Sequence, residues 1–193
     1  MRRVIDADGF EAKFAADPDP WNYAASPFEA WKRGVLLTAC GDRPYGRGLE
    51  LACANGETTR LLAQHCRRLL AVDASATALE AARRRNAGNG RIIFRHALLP
   101  RDMPRGPFDL IVASEILYYL KPSDLSALLP KLHAALAPGG RIVLLHHVLD
   151  FDDAAIRPVQ AVAAAEHWFG HVAPVRAARQ TARFRVAAFE RRR

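Results

Sequence analysis

Two acidic residues and a glycine, spaced as in a nucleoside-binding sheet, carry the clearest chemical signal in this chain. Glu50 is followed by the small residues 52–54 and by Gly56, and Asp73 closes the apolar run 69–72. A strand, a small-residue turn, a helix and a second strand ending in an acid form the nucleoside-binding unit of open α/β sheets. Asp73 can accept hydrogen bonds from both ribose hydroxyls, Gly56 lets the first helix begin against a ligand, and Glu50 can orient the loop or reach an amine.

The loop lacks the glycines of a dinucleotide or phosphate motif. In the G-x-G-x-x-G frame the three positions hold Ala52, Ala54 and Glu57, and the Gly-Lys-Ser/Thr sequence of a Walker loop is absent. The frame acid-x-G-x-G-x-G suits a nucleoside without a pyrophosphate; Glu50 and Gly56 match it, and alanine stands at the other two positions. A positive φ at Ala52 would cost ~1 kcal/mol or more.

The rest of the chain supplies the elements that position these residues. The patterns predict strands near 47–52, 69–73, 91–96, 108–114 and 140–147, and helices near 56–68, 75–87 and 123–137. They then predict a helix from Pro158 to Phe169, ended by Gly170, and an antiparallel hairpin of strands 173–178 and 182–190. We expect one α/β domain over residues 1–193, with an arm at 1–45 and a cofactor-binding core at 46–190. Its mostly parallel seven-stranded sheet should end in an antiparallel hairpin and carry helices on both faces.

The N-terminal arm has its own signals. Residues 1–25 are polar, and two X-Pro steps predict an extended path that places Trp21 and Tyr23 on one side. Ser26 as N-cap and Glu29 as its capping-box partner predict a helix that ends at Cys40. Ser75 and Ser123 are the predicted N-caps of two later helices.

Composition limits the classes of protein. A chain of 193 residues, half of them hydrophobic, suits one α/β domain. No stretch approaches the ~20 apolar residues of a membrane span, and Met1–Asp6 lacks the apolar run of a signal peptide. Cys40, Cys53 and Cys66 have no metal-like spacing and are predicted to be buried, reduced thiols, so a cytoplasmic protein without a metal is expected. The net charge of +8 permits nucleic-acid binding without establishing it.

Four segments, in order, resemble the class I S-adenosylmethionine-dependent methyltransferases: 49–56, 71–73, 108–111 and 136–140. A narrower resemblance, to the nodulation-type N-methyltransferases, rests on 19–23, Ser26-x-Phe28-Glu29-x-x-Lys32 and 114–120. The resemblance implies a Rossmann-like fold, S-adenosylmethionine as cofactor and a small-molecule acceptor. In that family the acceptor is the free amine of a deacetylated chitooligosaccharide, which implies a role in oligosaccharide biosynthesis. The chain departs from the family pattern at Ala52 and His147, where glycine and tryptophan are usual, and Ala97 stands where many methyltransferases have an acid.

The resemblance assigns roles to individual residues. Those expected to bind the cofactor are Glu50, Ala52, Cys53, Gly56, Asp73, Ala74, Ala97, Leu98 and Ser114, with Trp21 and Tyr23 as a lid that excludes water. Methyl transfer to an amine depends on positioning and on a nearby base. Glu115, Tyr118 and Tyr119 follow the fourth strand and are the candidates for this work, and tyrosine faces can also hold a cation. Successive strand residues face opposite ways, so His146 is favoured over His147 as the base.

Three functions remain open on the sequence alone. The first is a small-molecule N-methyltransferase that acts on an amino sugar or oligosaccharide amine. The second is a nucleic-acid methyltransferase, suggested by the pI of about 10.0, although residues 114–117 differ from the Asn/Asp-Pro-Pro-aromatic run of base-amine enzymes. The third is a non-catalytic protein that kept the fold, suggested by Ala52 and Ala54. The sequence leaves open N- or O-methylation and the oligomeric state.

Overall fold

A seven-stranded sheet organises the chain in the computed structural model, which describes residues 4–193. The prediction that no signal peptide begins at Met1 concerns residues 1–6, of which Met1–Arg3 lie outside the described residues. The strands are β1 (Tyr45–Leu51), β2 (Cys66–Asp73), β3 (Ile92–His96), β4 (Phe108–Ser114), β5 (Leu136–His147), β6 (Val175–Gln180) and β7 (Phe184–Glu190). Their order is β3-β2-β1-β4-β5-β7-β6. The first five are parallel, whereas β7 pairs antiparallel with both β5 and β6.

Helices cover both faces of this sheet. They are α1 (Ala7–Ala16), α2 (Pro27–Cys40), α3 (Glu57–His65), α4 (Ala76–Arg85), α5 (Pro122–Ala135) and α6 (Pro158–Val172), with a 3₁₀ turn at Leu117–Tyr119. Leu110 and Val112 of β4 pack in the core with residues of α2 and α3, whereas Ile111 and Ala113 pack with α5 and α6. The alternation follows from the two-residue period of a strand, and it explains why the strand is apolar throughout. The predicted fold class is confirmed.

The N-terminal arm differs from its prediction. No element is predicted before residue 26, but residues 7–16 form α1, and the extended path expected at the two X-Pro steps is also wrong. Asp6 caps this helix by accepting a hydrogen bond from the Gly9 N–H at 2.9 Å. The following segment folds into turns, because the Asp19 carboxylate accepts the N–H groups of Tyr23 and Ala24 at 2.7 and 2.9 Å.

Several element boundaries also moved. Strand β5 begins at Leu136, before the start predicted near residue 140, and its first part is irregular. Helix α6 continues past Gly170 to Val172. Lys121, and not Ser123, is the N-cap of α5, whereas the predicted caps Ser26 and Ser75 accept hydrogen bonds from the expected backbone N–H groups. The division into an arm and a core stays a prediction.

The helices also bear on membrane insertion. Over residues 4–193, no helix has both the length and the apolar character needed to cross a bilayer.

Candidate active site

A cavity of about 640 Å³ lies where the parallel strands end. Its wall includes residues at or just after the carboxyl ends of β1, β2, β3, β4 and β5, which is where ligands bind in open α/β sheets. All the predicted site residues line it except Gly56 and His146: Trp21, Tyr23, Glu50, Ala52, Cys53, Asp73, Ala74, Ala97, Leu98, Ser114, Glu115, Tyr118 and Tyr119. The topology therefore brings most of the predicted residues together, and their chemical roles stay predictions.

The loop after β1 has a left-handed backbone at three positions. Ala52, Ala54 and Gly56 have φ values of 51°, 48° and 78°. Asp73, at the end of β2, holds this loop: its Oδ2 accepts the Ala54 N–H at 2.8 Å, and its Oδ1 accepts the Ser75 N–H at 2.9 Å. Burial raises the pKa of Asp73, and these backbone N–H groups oppose that shift. The Ala74 backbone N–H also lowers the pKa of this carboxylate, and a carboxylate with about four lone-pair sites can still accept from a ligand.

Gly56 is required for a reason that the sequence did not show. A Cβ at this position would lie 2.8 Å from the Ala82 Cβ and 2.9 Å from the Ala82 Cα, so any side chain would collide with α4. Gly56 therefore serves the close packing of α3 against α4, and its expected place beside the ligand stays a prediction.

Glu50 lies under the same loop as a buried, incompletely bonded acid. Burial raises its pKa to about 8. Among the residues that the structure describes, its Oε2 makes no hydrogen bond of normal geometry, although the nearby Thr59 hydroxyl opposes the rise in pKa. A buried oxygen in this state costs stability unless a ligand donates to it, so Glu50 suits a cationic or donor group in the cavity.

Replacing Ala52 by glycine should stabilise the protein by ~1 kcal/mol, because a non-glycine residue in the left-handed region costs about 1–2 kcal/mol and glycine loses part of that gain as backbone entropy. Urea unfolding measures the change. Ala127→Gly is the matched control: Ala127 is exposed within α5, so glycine there should cost about 1 kcal/mol. Equal losses in the two variants would show that Ala52 carries no strain.

A charged cluster forms the opposite wall. The Lys32 Nζ lies 2.6 Å from Glu115 Oε1 and 2.9 Å from Glu29 Oε2. Glu115 Oε2 accepts the Tyr118 hydroxyl at 2.5 Å and the His147 backbone N–H at 2.9 Å. Burial alone would raise the pKa of Glu115, but Lys32 and the hydrogen bonds hold it below its usual value. Glu115 is therefore an ionised carboxylate that accepts three hydrogen bonds, and it is a weak base.

The choice between the two histidines is corrected. His146 is 1% exposed, and its Nε2 accepts the Leu117 N–H at 3.2 Å. Burial lowers its pKa to about 4, so it remains neutral inside the fold. His147 is half-buried, lines the cavity and also has a lowered pKa, chiefly because of burial. The two rings do face opposite ways, but the register at which β5 ends decides which ring enters the cavity.

The arm covers the cavity through residues that the sequence analysis did not select. Phe10 and Phe14, four residues apart on α1, line the cavity with Trp21. Glu11 anchors α1 by accepting hydrogen bonds from the Ser75 Oγ, at 2.6 Å, and from the Thr77 hydroxyl at the start of α4. The i, i+4 phenylalanine pair behind a capping aspartate was a usable helix signal.

Glu29 and Lys32 were likewise not selected as site residues. The predicted capping role of Glu29 is wrong, because its carboxylate accepts from Lys32 and the Ser26 N–H donates to the Asn22 carbonyl instead. No local signal joins Lys32 to a residue 83 positions later.

The fold and the cavity place the chain in the class I S-adenosylmethionine-dependent methyltransferases. A family model described as "Nodulation protein S (NodS)" matches residues 7–193, and the chain belongs to this family. The narrower resemblance drawn from the sequence is therefore confirmed.

Individual relatives agree with this placement. Nodulation protein S of Rhizobium tropici is 35% identical over 152 residues, which cover 73% of this chain and 63% of that protein. The homologue from Sinorhizobium fredii (strain NBRC 101917 / NGR234) is 33% identical over 132 residues, covering 66% and 60%. The chain thus spans less than two thirds of the length of these relatives.

Solved structures extend the likeness over nearly the whole chain. N-methyltransferase NodS from Bradyrhizobium japonicum WM9, in complex with S-adenosyl-L-homocysteine, matches with a TM-score of 0.83 at 25% identity and covers 96% of this chain and 97% of that one. A putative methyltransferase from Pseudomonas syringae matches with a TM-score of 0.73 at 32% identity, over 85% and 99%.

Proposed function

We propose that the protein transfers a methyl group from S-adenosylmethionine to the primary amine of an amino sugar or oligosaccharide. The observation that carries this proposal is that one cavity contains both Asp73, an acid placed to bind a ribose, and His147, whose backbone N–H donates to the Glu115 carboxylate. The NodS relative crystallised with S-adenosyl-L-homocysteine supports the same donor. We also propose a cytoplasmic protein, because Cys40, Cys53 and Cys66 are free, buried thiols.

The donor half of the cavity fits an adenosyl amino acid. Asp73 would accept from the ribose hydroxyls, and Ala97 and Leu98 would lie against the adenine. The open Oε2 of Glu50 suits the amino group of the methionyl part. When bound, S-adenosylmethionine supplies a carbon that is activated by a positively charged sulfur.

The acceptor half fits an amine. The Lys32–Glu115 pair fixes the carboxylate that receives the His147 N–H, and so holds the end of β5 in place. The His147 imidazole is neutral near pH 7 because its pKa is lowered, and a neutral imidazole can take the proton that an ammonium must lose before its nitrogen attacks. Trp21 and Tyr23 would exclude water above both ligands.

Replacing His147 by glutamine should lower the kcat for amine methylation by about 10²–10⁴-fold near pH 7, the usual contribution of a positioned base. The deficit should shrink at alkaline pH, where more of the acceptor is already unprotonated. A pH–rate profile on the wild type and the variant measures both effects. His171→Gln, on the exposed end of α6, is the control; equal profiles for all three proteins would exclude His147 as the base.

The affinity for S-adenosylmethionine should rise as pH increases through about 8, the raised pKa of Glu50, because the ligand's ammonium favours the carboxylate over the carboxylic acid. Calorimetry in buffers of different ionisation enthalpy should show proton release on binding below that pH. The stability of the free protein should change in the opposite direction. Between about pH 4.5 and 8 Glu50 is protonated in the folded state and ionised in the unfolded state, so its contribution to stability falls as pH rises through that window. Glu50→Gln should remove both dependences; a pH-independent affinity in the wild type would count against this contact.

The acceptor class can be tested with matched sugars. Incubation with methyl-labelled S-adenosylmethionine should label short glucosamine oligosaccharides that carry a free amine, and should leave their fully N-acetylated counterparts unlabelled. Transfer RNA serves as the nucleic-acid arm and should stay unlabelled. Labelling of the acetylated sugars would indicate O-methylation, and a protein that binds S-adenosylmethionine but labels no amine would overturn the proposed acceptor.

A further inference from the structure

Aromatic rings concentrate around the cavity to an unusual degree. The chain has three tryptophans, four tyrosines and nine phenylalanines, and eight of these sixteen side chains line this one cavity. Aromatic residues are the most costly to leave half-exposed, yet Trp21, Tyr23 and Tyr119 are only half-buried here. Such rings have faces available for a ligand.

These rings form a continuous wall. The ring centroids of Tyr23 and Trp21 are 5.7 Å apart, those of Trp21 and Phe10 are 6.2 Å apart, and those of Phe10 and Tyr119 are 4.8 Å apart. Beyond Tyr119 the wall continues to Phe151, at 5.9 Å. Phe151 in turn lies 6.4 Å from the His147 ring, so the wall reaches the acceptor end of the cavity.

The wall borders a buried trio of charged side chains, and the Arg183 guanidinium is a further cation that lines the same cavity. Lys32 is one cation between two carboxylates, Glu29 and Glu115, and all three side chains are largely buried and line the cavity. Burial raises the pKa of Tyr23 and of Tyr119, and Glu115 adds to both shifts. The phenols therefore stay neutral and leave the trio itself with one excess negative charge.

We infer that the acceptor half of the cavity is a cage for an alkylammonium ion, formed by the neighbouring rings of Tyr119 and Phe151 with the Glu115 carboxylate. The inference rests on the proposed amine methylation and extends it. Aromatic faces with a buried anion bind methylated ammonium groups more strongly as methyl groups are added, because the spread charge loses less hydration. The N-methylated product is thus a second acceptor, and the enzyme methylates one nitrogen more than once.

One cofactor cation does not account for the whole wall. The sulfonium of the cofactor is a single charge and can contact only part of the wall. The wall begins at Tyr23, whose pKa the Asp73 carboxylate helps to raise, and ends at Phe151 beside His147. With the neutral thioether product S-adenosylhomocysteine bound, a cation-binding surface should therefore remain at the acceptor end.

Each round of methylation forms one bond to nitrogen and breaks one bond to sulfur. A nitrogen lone pair forms the new nitrogen–carbon bond while the carbon–sulfur bond breaks and its electrons go to sulfur. The proton of the acceptor ammonium leaves to His147 and then to solvent. A second round needs a second molecule of S-adenosylmethionine and a secondary amine, which still has a lone pair. The positive charge that develops on nitrogen is the charge that the cage stabilises.

Binding without turnover tests the cage. Choline and 3,3-dimethyl-1-butanol have the same shape, but only choline is positively charged. The ratio of their affinities for the protein saturated with S-adenosylhomocysteine therefore measures what the positive charge contributes to binding. We expect choline to bind at least about tenfold more tightly, as for a desolvated cation–π site. Tyr119→Leu should remove most of this preference, and Phe94→Leu, a half-buried ring on β3 outside the cavity wall, should keep it. Equal affinities of the two ligands in the wild type would overturn the inference.

Turnover then separates the inference from the proposed function. Offered 2-methylamino-2-deoxyglucose as acceptor, the wild type should add a further methyl group, seen by mass spectrometry. If glucosamine is methylated but the N-methyl compound neither binds nor reacts, the cage is wrong and the proposed function stands. If no amine reacts and choline still binds preferentially, the cage stands and the proposed reaction fails.

Discussion

Asp73→Asn should weaken the binding of S-adenosylmethionine by about a hundredfold or more while the protein stays folded. The buried carboxylate is the proposed acceptor for two ribose hydroxyls, and hydrogen bonds to a charged group contribute about 1.5–3 kcal/mol each. Asparagine keeps one acceptor oxygen for the loop that Asp73 now holds through the Ala54 and Ser75 N–H groups. Calorimetric titration measures the affinity, and circular dichroism measures the fold.

A matched control separates ligand binding from backbone support. Asp109 also accepts a backbone N–H, that of Arg47 at 2.7 Å, but it lies at the start of β4, away from the cavity. Asp109→Asn should leave the affinity unchanged. Unaltered affinity in Asp73→Asn as well would mean that the ribose assignment is wrong, and weakened affinity in both would point to a general loss of structure.

Lys32→Met should destabilise the protein by about 3–5 kcal/mol, because removing one partner of a buried pair leaves an uncompensated charge. Here two carboxylates lose their cation, since Lys32 bridges Glu29 and Glu115. The loss should be smaller at acidic pH, where the unpaired carboxylates can take up protons. In the wild type the lowered pKa of Glu115 has the opposite consequence: its stabilising contribution is present above the unfolded pKa and is lost as pH falls through the folded one.

The double variant Lys32→Met/Glu115→Gln should recover part of this loss, because it removes one buried charge together with the cation. Urea unfolding of the single and double variants gives the coupling energy. Arg84→Met is the control: Arg84 pairs with Glu80 on the exposed face of α4, and a surface pair is worth about 0–1 kcal/mol. A cost in Lys32→Met no larger than in Arg84→Met would show that the cluster is not structurally important.

The sequence alone determined the strands and the helix starts, which depend on residues close together in the chain. The apolar runs predicted the strands because a strand covered on both faces has to be apolar at every position. Ser26 and Ser75 predicted helix starts because a hydroxyl can satisfy a free N–H only at a helix N-terminus. The place of Asp73 in the cavity wall could be predicted from the sequence, because the carboxyl ends of parallel strands lie at the same edge of the sheet.

Only the tertiary structure decided which side chains share the cavity. Lys32 and Glu115 lie 83 positions apart and meet because α2 packs beside β5 and β7. His147, and not His146, enters the cavity because the pairing of β5 with β4 and β7 sets its register. Gly56 is a packing residue because a Cβ at this position would lie only 2.8 Å from the Ala82 Cβ of α4. Strand, cap and turn signals act over a few residues, whereas a buried charge or a close helix contact depends on where distant segments pack.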